Sequence, residues 1–544
     1  MIPRLAAALL PAVFSLAQSS LAQSTNSRMD QIVQSYVSNK QFMGSVLVAR
    51  GTDVLFSKGY GSANLEWGIP DSPATKFRLG SVTKQFTAAS IRLLEERGKL
   101  KVEDPVKKYL PDAPAAWDKI TIFHASTHTA GLPNFTSFPD YPSLEPFSTT
   151  AEKLVGRFRD KPLDFEPGEK WSYSNSGYVL LGYLIEKISG ESYGKFVQEN
   201  IFTPLGMKDS GYDSNSALIE RRAAGYARAP NGTVTNAGYI DMTVPHAAGA
   251  LYSTTEDLLR WEQSLFGGKL LSAASLQKMT TAFKSDYAFG LQVHTVNKHK
   301  VIDHNGGIEG FSTMLAYYPD DKITVVVLAN LTGTPAPGEI AAKLGALALG
   351  EDVSLPSERK EITIAPGILS KYVGTYSMAP GVNMMVRLAG DQLTTQMSGQ
   401  GRLPLFAESE SKFFLKVVDA QVEFGNDDKG PFLILHQGGR DMKAARTSDT
   451  VAEKNEIAVP VSVLSAYVGR YELRPGFDLV VTLEGDQLVT QATGQPKLPI
   501  FAESETKFFP RAIDAEVEFF RDEKGAVTHL VLHQGPGEIN GTRK

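Results

Sequence analysis

Residues 78–98 read R-L-G-S-V-T-K-Q-F-T-A-A-S-I-R-L-L-E-E-R-G, and this stretch decides the fold. The pattern predicts a helix opening at Ser81 and ending near Gly98. Ser81 and Lys84 stand three apart, so a helix puts them on one face, a turn apart. A buried lysine loses proton affinity by desolvation, and its amine can then take a proton from a nearby hydroxyl. The helix N-terminus adds partial positive charge where an alkoxide would form. That is the chemistry of a serine nucleophile activated by lysine. S-x-x-K is short enough to occur by chance, so it carries weight only with partners.

Two partners follow in the chain. Tyr173-Ser174-Asn175 comes after the turn at Pro167-Gly168 and before an apolar helix expected over about 178–188. Its tyrosine offers a phenol that can relay a proton. Its asparagine offers an amide for both the lysine and a substrate. The plainer alternative is a turn tyrosine and a helix-capping asparagine. Further on, His304-Asn305-Gly306-Gly307 places a histidine at an expected strand end, with two glycines that let a substrate approach the backbone closely. Taken alone, His304 would read as a structural residue.

In this order, the three motifs resemble those of the serine β-lactamase and penicillin-binding-protein superfamily, whose pattern is S-x-x-K, S-D-N and K-T-G. The nearest likeness is to class C β-lactamases, D-Ala-D-Ala carboxypeptidases, D-aminopeptidases and related esterases. Here the second motif has the Y-x-N form, and H-N-G replaces K-T-G. I-T-I-F-H-A-S-T-H-T-A-G-L-P-N-F (120–135), P-L-G-M-K-D-S-G-Y (204–212), A-G-A-L-Y-S-T-T-E-D-L-L-R-W (248–261) and Y-A-F-G-L-Q-V (287–293) look like further landmarks of the family. The resemblance spans about 28–350. It implies an α+β catalytic domain of the β-lactamase/DD-peptidase type, an antiparallel sheet flanked by helices with a helical region beside it.

Local patterning agrees. A helix is expected over 28–38 and a hairpin from Gly44–Arg50 and Asp53–Tyr60, followed by a helical middle to about 275. Strands are expected again at 287–293, 300–304, 312–318 and 322–330, so one sheet is assembled from both ends of the domain.

Beyond a polar, proline-containing linker at 350–366 the chain repeats itself. L-S-K-Y-V-G-T-Y (369–376) returns as L-S-A-Y-V-G-R-Y (464–471), and L-P-L-F-A-E-S-E-S-K-F-F (403–414) as L-P-I-F-A-E-S-E-T-K-F-F (498–509). Short alternating runs separated by turn signals predict two copies of a small antiparallel β-barrel or sandwich, at 367–445 and 462–544. They are similar to the lipocalin-like domains that follow the catalytic domain in D-aminopeptidases. The repeated His436 and His533 read as strand and turn determinants.

Composition bounds the rest. The chain has 544 residues, 42% apolar and 21% charged, with net charge −5 and no cysteine. That is ordinary for a globular protein of several domains and offers no basic stripe for nucleic acid. Residues 1–22 carry a basic start, an apolar run from Leu5 to Ala17 and Ser20-Leu21-Ala22, the layout of a signal peptide, with 23–350 as the catalytic domain. Export to the periplasm or beyond is the expectation, with no disulfide and no lipid-anchoring cysteine. His124 and His128 lie four apart but lack a carboxylate at suitable spacing, so no metal or other cofactor is assigned.

The resemblance implies that Ser81 attacks an amide or ester carbonyl to form an acyl-enzyme, with Lys84 or the Tyr173 phenolate as base. The backbone N–H groups of Ser81 and Gly307 would form the oxyanion hole. Asn175, His304, Asn305 and Gly306 would bind a small-molecule or peptide substrate. With only a partly charged His304 in place of the motif lysine, strong recognition of penicillin-type carboxylates is not expected. The substrates implied are D-amino-acid peptides or amides, of D-aminopeptidase or D-Ala-D-Ala carboxypeptidase type. A carboxylesterase, a weak β-lactamase and a non-catalytic penicillin- or peptidoglycan-binding protein stay open. The oligomeric state is not legible.

Overall fold

The structure, a computed structural model, describes residues 25–544 apart from 230–231, 438–439, 452–453, 475 and 536. The expected signal peptide lies outside the described residues. Two compact units divide between Val353 and Ser354, and no described helix is long and apolar enough to cross a membrane.

The first unit is built on an antiparallel sheet whose strands come from both ends of the domain. After helix α1 (25–38), β1 (Gly44–Arg50) and β2 (Asp53–Tyr60) form the expected hairpin. The chain returns much later as β3 (Gln292–Val296), β4 (His299–Ile308), β5 (Phe311–Tyr318) and β6 (Ile323–Ala329). The order is β3-β4-β5-β6-β1-β2. β1 and β6 pair along their whole length, Gly44 with Ala329 through Arg50 with Ile323. These central strands are covered on both faces, which is why G-S-V-L-V-A-R and I-T-V-V-V-L-A are nearly unbroken apolar runs. The edge strand β2, D-V-L-F-S-K-G-Y, buries only Phe56 and Tyr60 and is correspondingly mixed.

The helical middle supplies α2 (Thr83–Glu96), α3 (Asn175–Ser189) and α4 (Thr255–Phe266), and α5 (Ala336–Leu349) closes the unit. α4 and α5 both pack on β6. α2 runs through the core, with twelve buried residues from Thr83 to Leu94. The helix expected from Ser81 onward begins later. Gly80–Val82 is a 3-10 turn, and Ser81 sits in it, just ahead of α2.

The sequence misjudged the third motif's backbone. His304 was expected at a strand end, yet β4 runs on through Asn305, Gly306 and Gly307 to Ile308. The glycines do not stop the strand. They let the Ser81 turn approach it: a Cβ on Gly306 would stand 1.9 Å from the Leu79 carbonyl oxygen, and one on Gly80 (φ +52°) 2.8 Å from the Gly307 nitrogen. The strand expected at 287–293 begins only at Gln292.

The second unit holds two closed eight-stranded antiparallel barrels, Gly374–Ser448 and Gly469–Arg543. Each has its own apolar core, around Tyr376, Val386, Leu393 and Phe424 in one and Tyr471, Val481, Leu488 and Phe519 in the other. These are pairs of repeated positions. The first barrel's last strand reaches Ser448, past the boundary expected at 445. The 350–366 linker is not wholly free, since Ile362 N–H donates to the Ala407 carbonyl and Ile364 is buried in the first core. His436 lies 2.6 Å from an Asp441 carboxylate oxygen and His533 lies 3.3 Å from one of Glu538, cross-strand partners in each barrel.

Candidate active site

α2 and α3 present their first turns to one another, and the 3-10 turn before α2 carries Ser81 between them. Lys84 Nζ lies 2.9 Å from Ser81 Oγ, 2.9 Å from Asn175 Oδ1 and 2.8 Å from the Ala248 carbonyl oxygen. The Tyr173 hydroxyl donates to Ser81 Oγ at 2.7 Å. Asn175, the first residue of α3, is clamped by the 128–136 loop. Its N–H donates to Asn134 Oδ1 at 3.0 Å and its Nδ2 to Thr136 Oγ1 at 3.1 Å. The Lys84 Nζ also faces the rings of Tyr173 and Tyr178, at 4.9 and 5.4 Å.

Desolvation sets the charge states. Lys84 is completely buried, and loss of hydration holds its pKa well below the usual lysine value. In its neutral form, which this shift favours, the amine has two N–H groups and one lone pair. Asn175 Oδ1 and the Ala248 carbonyl are acceptors for the two N–H groups, which leaves the lone pair for the Ser81 hydroxyl. Burial pushes the Tyr173 phenol well above its ordinary value, against the smaller pull of its hydrogen bond to Ser81. The phenol therefore keeps its proton at neutral pH, and of the two bases the sequence offered, the amine is the one poised to accept.

His304 is 2% exposed. Its Nδ1 lies 2.6 Å from the Asn305 carbonyl, which can only accept, so Nδ1 carries the proton and Nε2 accepts from the Tyr287 hydroxyl at 2.9 Å. Burial, and then the nearby Lys84, bring its pKa down to about 3. The partial charge expected from sequence is absent: the ring is neutral across the physiological range. Strand alternation turns His304 and Gly306 to the buried face of β4 and Asn305 and Gly307 to the other. A cavity of about 140 Å³ is walled by Ser81, Asn175, Ala248 and Gly307 among others, whereas His304, Asn305 and Gly306 are not in its wall.

A layer behind the nucleophile was missed. His128 (φ 57°) is buried, accepts from the Ser174 N–H at 3.1 Å, and meets the Tyr173, Tyr287 and Tyr178 rings at 4.3, 4.6 and 5.1 Å. His124 instead accepts from the Thr121 N–H in a capping box. The two histidines therefore serve different partners.

Residues 29–350 match the family model described as Beta-lactamase. The chain belongs to the beta-lactamase family. Residues 358–444 and 453–543 each match a domain of unknown function (DUF3471), in agreement with the repeat. Family membership accounts for the serine-hydrolase constellation, and the chain is an enzyme of that kind. It is 31% identical over 455 residues to penicillin-binding protein 4* of Bacillus subtilis (strain 168), covering 78% of this chain and all of the relative. It is 28% identical to the teichoic acid D-alanine hydrolase of Staphylococcus aureus (strain MRSA252), over 55% of this chain and 73% of that one. Among solved structures it is similar to D-amino acid amidase from Ochrobactrum anthropi SV3 complexed with D-phenylalanine, with TM-score 0.51, 26% identity and coverage of 57% and 92% of the two chains.

Within this family, Ser81, Lys84, Tyr173 and Asn175 come together as their motifs implied. The Ala248 carbonyl was within reach of sequence reading, since A-G-A-L-Y stood out as a landmark, but no pattern assigns a role to a backbone oxygen. Tyr287 likewise lies at the head of the 287–293 landmark.

Proposed function

We propose that the enzyme cleaves esters or amides of D-amino acids through an acyl-enzyme on Ser81. The observation that carries this reading is the placement of Ser81 Oγ between Lys84 Nζ at 2.9 Å and the Tyr173 hydroxyl at 2.7 Å, with the lysine desolvated. Ser81 Oγ bonds to the substrate carbonyl carbon while its proton passes to Lys84. The carbonyl oxygen takes the negative charge and is met by the backbone N–H groups of Ser81 and Gly307. As the carbon–oxygen or carbon–nitrogen bond breaks, the leaving group takes the proton of the Tyr173 hydroxyl, and the proton that Lys84 received from Ser81 passes to the phenolate. Water then attacks the acyl-enzyme, giving its proton back along the same pair, and the acid departs as Ser81 is restored. Asn175 holds Lys84 in register. His304 and His128 act as neutral supports for Tyr287 and Tyr173.

The D-amino-acid assignment is supported by the teichoic acid D-alanine hydrolase and D-amino acid amidase likenesses. A β-lactamase role is less favoured, because the motif position that carries a lysine in K-T-G holds a buried neutral His304 here. A panel of D-alanyl esters, D-amino-acid p-nitroanilides, D-Ala-D-Ala peptides and nitrocefin tests the reading. Turnover of D-aminoacyl substrates that vanishes in Ser81→Ala supports it. Turnover of nitrocefin alone would replace it.

A further inference from the structure

The cavity beside Ser81 has a chemical polarity of its own. Among its described wall residues, Glu309 carries the one formal charge, and Phe135, Ile240, Pro245 and Ile308 supply the apolar surface. At about 140 Å³ it falls below the roughly 300–1,000 Å³ of pockets for drug-sized ligands, a size suited to a small acyl group. Glu309 lies two residues beyond Gly307, so it follows directly from the strand that flanks the nucleophile. Glu309 is half-buried; its Oε2 is shielded from water and, among the described residues, faces the Glu145 carboxyl rather than an N–H donor. A ligand that brings an N–H donor to this oxygen gains a charge-assisted hydrogen bond.

A second carboxyl backs it. Glu145, whose carbonyl accepts from the Asp241 N–H at 2.7 Å, interacts with Glu309 and with the Tyr141 hydroxyl. Burial and the facing Glu309 charge raise Glu145 to about 7. Two carboxyls in this arrangement repel when both are ionised, and a cation held on Glu309 relieves the repulsion.

We propose that Glu309, backed by Glu145, is the subsite for the free ammonium group of an aminoacyl donor. The enzyme then acts on esters or amides of amino acids with an unblocked α-amine, and N-acylated peptide donors are disfavoured. This deepens the reading of an acyl-enzyme on Ser81 and rests on it. With Ser81 attacking the carbonyl, the α-carbon and its amine enter the same small cavity, where the one charged group is an acid. The apolar wall receives a methyl-sized side chain.

The test compares kcat/KM for D-alanyl and N-acetyl-D-alanyl esters of the same leaving group. Wild-type enzyme should favour the free amine by tenfold or more. Glu309→Gln should erase most of that ratio, and Glu309→Lys should shift preference toward an N-succinyl donor. If Glu309 variants do not fold, as judged by Tm, Glu145→Gln reads the same ratio and should lower it. Equal rates on the two esters in wild-type enzyme overturn the subsite while leaving the Ser81 mechanism standing. An unchanged ratio in the variants overturns it as well. Loss of all turnover, with no fluorophosphonate adduct on Ser81, overturns the underlying mechanism and the subsite with it.

Discussion

Gly306→Ala is the sharpest test of how the fold places its nucleophile. The backbone of Gly306 is in a region any residue adopts, so the change adds only a methyl group. That methyl would lie 1.9 Å from the Leu79 carbonyl oxygen and 2.3 Å from Thr313 Oγ1, which itself donates to that carbonyl at 2.8 Å. Reaching ordinary contact at 3.4 Å from 1.9 Å requires a separation of about 1.5 Å. Leu79 is two residues before Ser81, so the displaced element is the turn that carries the nucleophile. Overpacking of this kind costs about 1–3 kcal/mol, a fall of a few degrees in Tm for a domain of this size. A shift of about 1 Å at the reacting centre costs about 10²-fold in rate. The assay is kcat on an activated ester beside a calorimetric Tm. Gly307→Ala is the comparison, since nothing lies within 4 Å of its Cβ position and its Tm should stay at the wild-type value. Wild-type kcat and Tm in Gly306→Ala would refute the idea that the glycine exists to seat the Ser81 turn.

Three further outcomes follow from the charge states. Activity should rise with pH through the depressed pKa of Lys84, because only the neutral amine accepts the Ser81 proton, and Tyr173 should still hold its proton at pH 9; a kcat/KM profile that falls over that rise would contradict it. His304→Leu should leave the pH profile between pH 5 and 8 unchanged, since the ring is already neutral there, but it should cost about 1–3 kcal/mol by removing the acceptor of the buried Tyr287 hydroxyl; Tm and the pH profile read both. Asp71, buried with neither carboxylate oxygen hydrogen-bonded among the described residues, has its pKa raised to about 8 by desolvation. The folded state keeps that proton where the unfolded chain has lost it, so stability falls as pH rises from about 4 to 8. Asp71→Asn should therefore raise Tm more at pH 8 than at pH 4, and equal gains at both would remove Asp71 as the cause.

The parts of the site that sequence made legible are those encoded by short-range pattern. Ser81 and Lys84 share a turn, and Tyr173 and Asn175 flank one residue at a helix start, so spacing alone aligns their chemistry. The barrels were legible because the chain repeats itself and alternation marks strands. What escaped was set by partners distant in sequence. Gly306 read as a substrate-facing glycine because nothing local reveals that Leu79, more than two hundred residues earlier, needs the space. His304 read as cleft-facing because burial depends on Tyr287 and on the strand continuing through two glycines. Glu145 and Glu309 gave no signal at all, being meaningful only where the fold brings Glu309 to the cavity and sets Glu145 against it.

The central claim is that Ser81 becomes acylated, and mass spectrometry of the quenched enzyme tests it most directly. After brief exposure to a D-alanyl ester or a fluorophosphonate, the adduct mass should appear on the tryptic peptide spanning 79–84 and localise to Ser81. Ser81→Ala should show neither adduct nor turnover. An adduct on any other residue, or turnover that survives Ser81→Ala, would contradict the account.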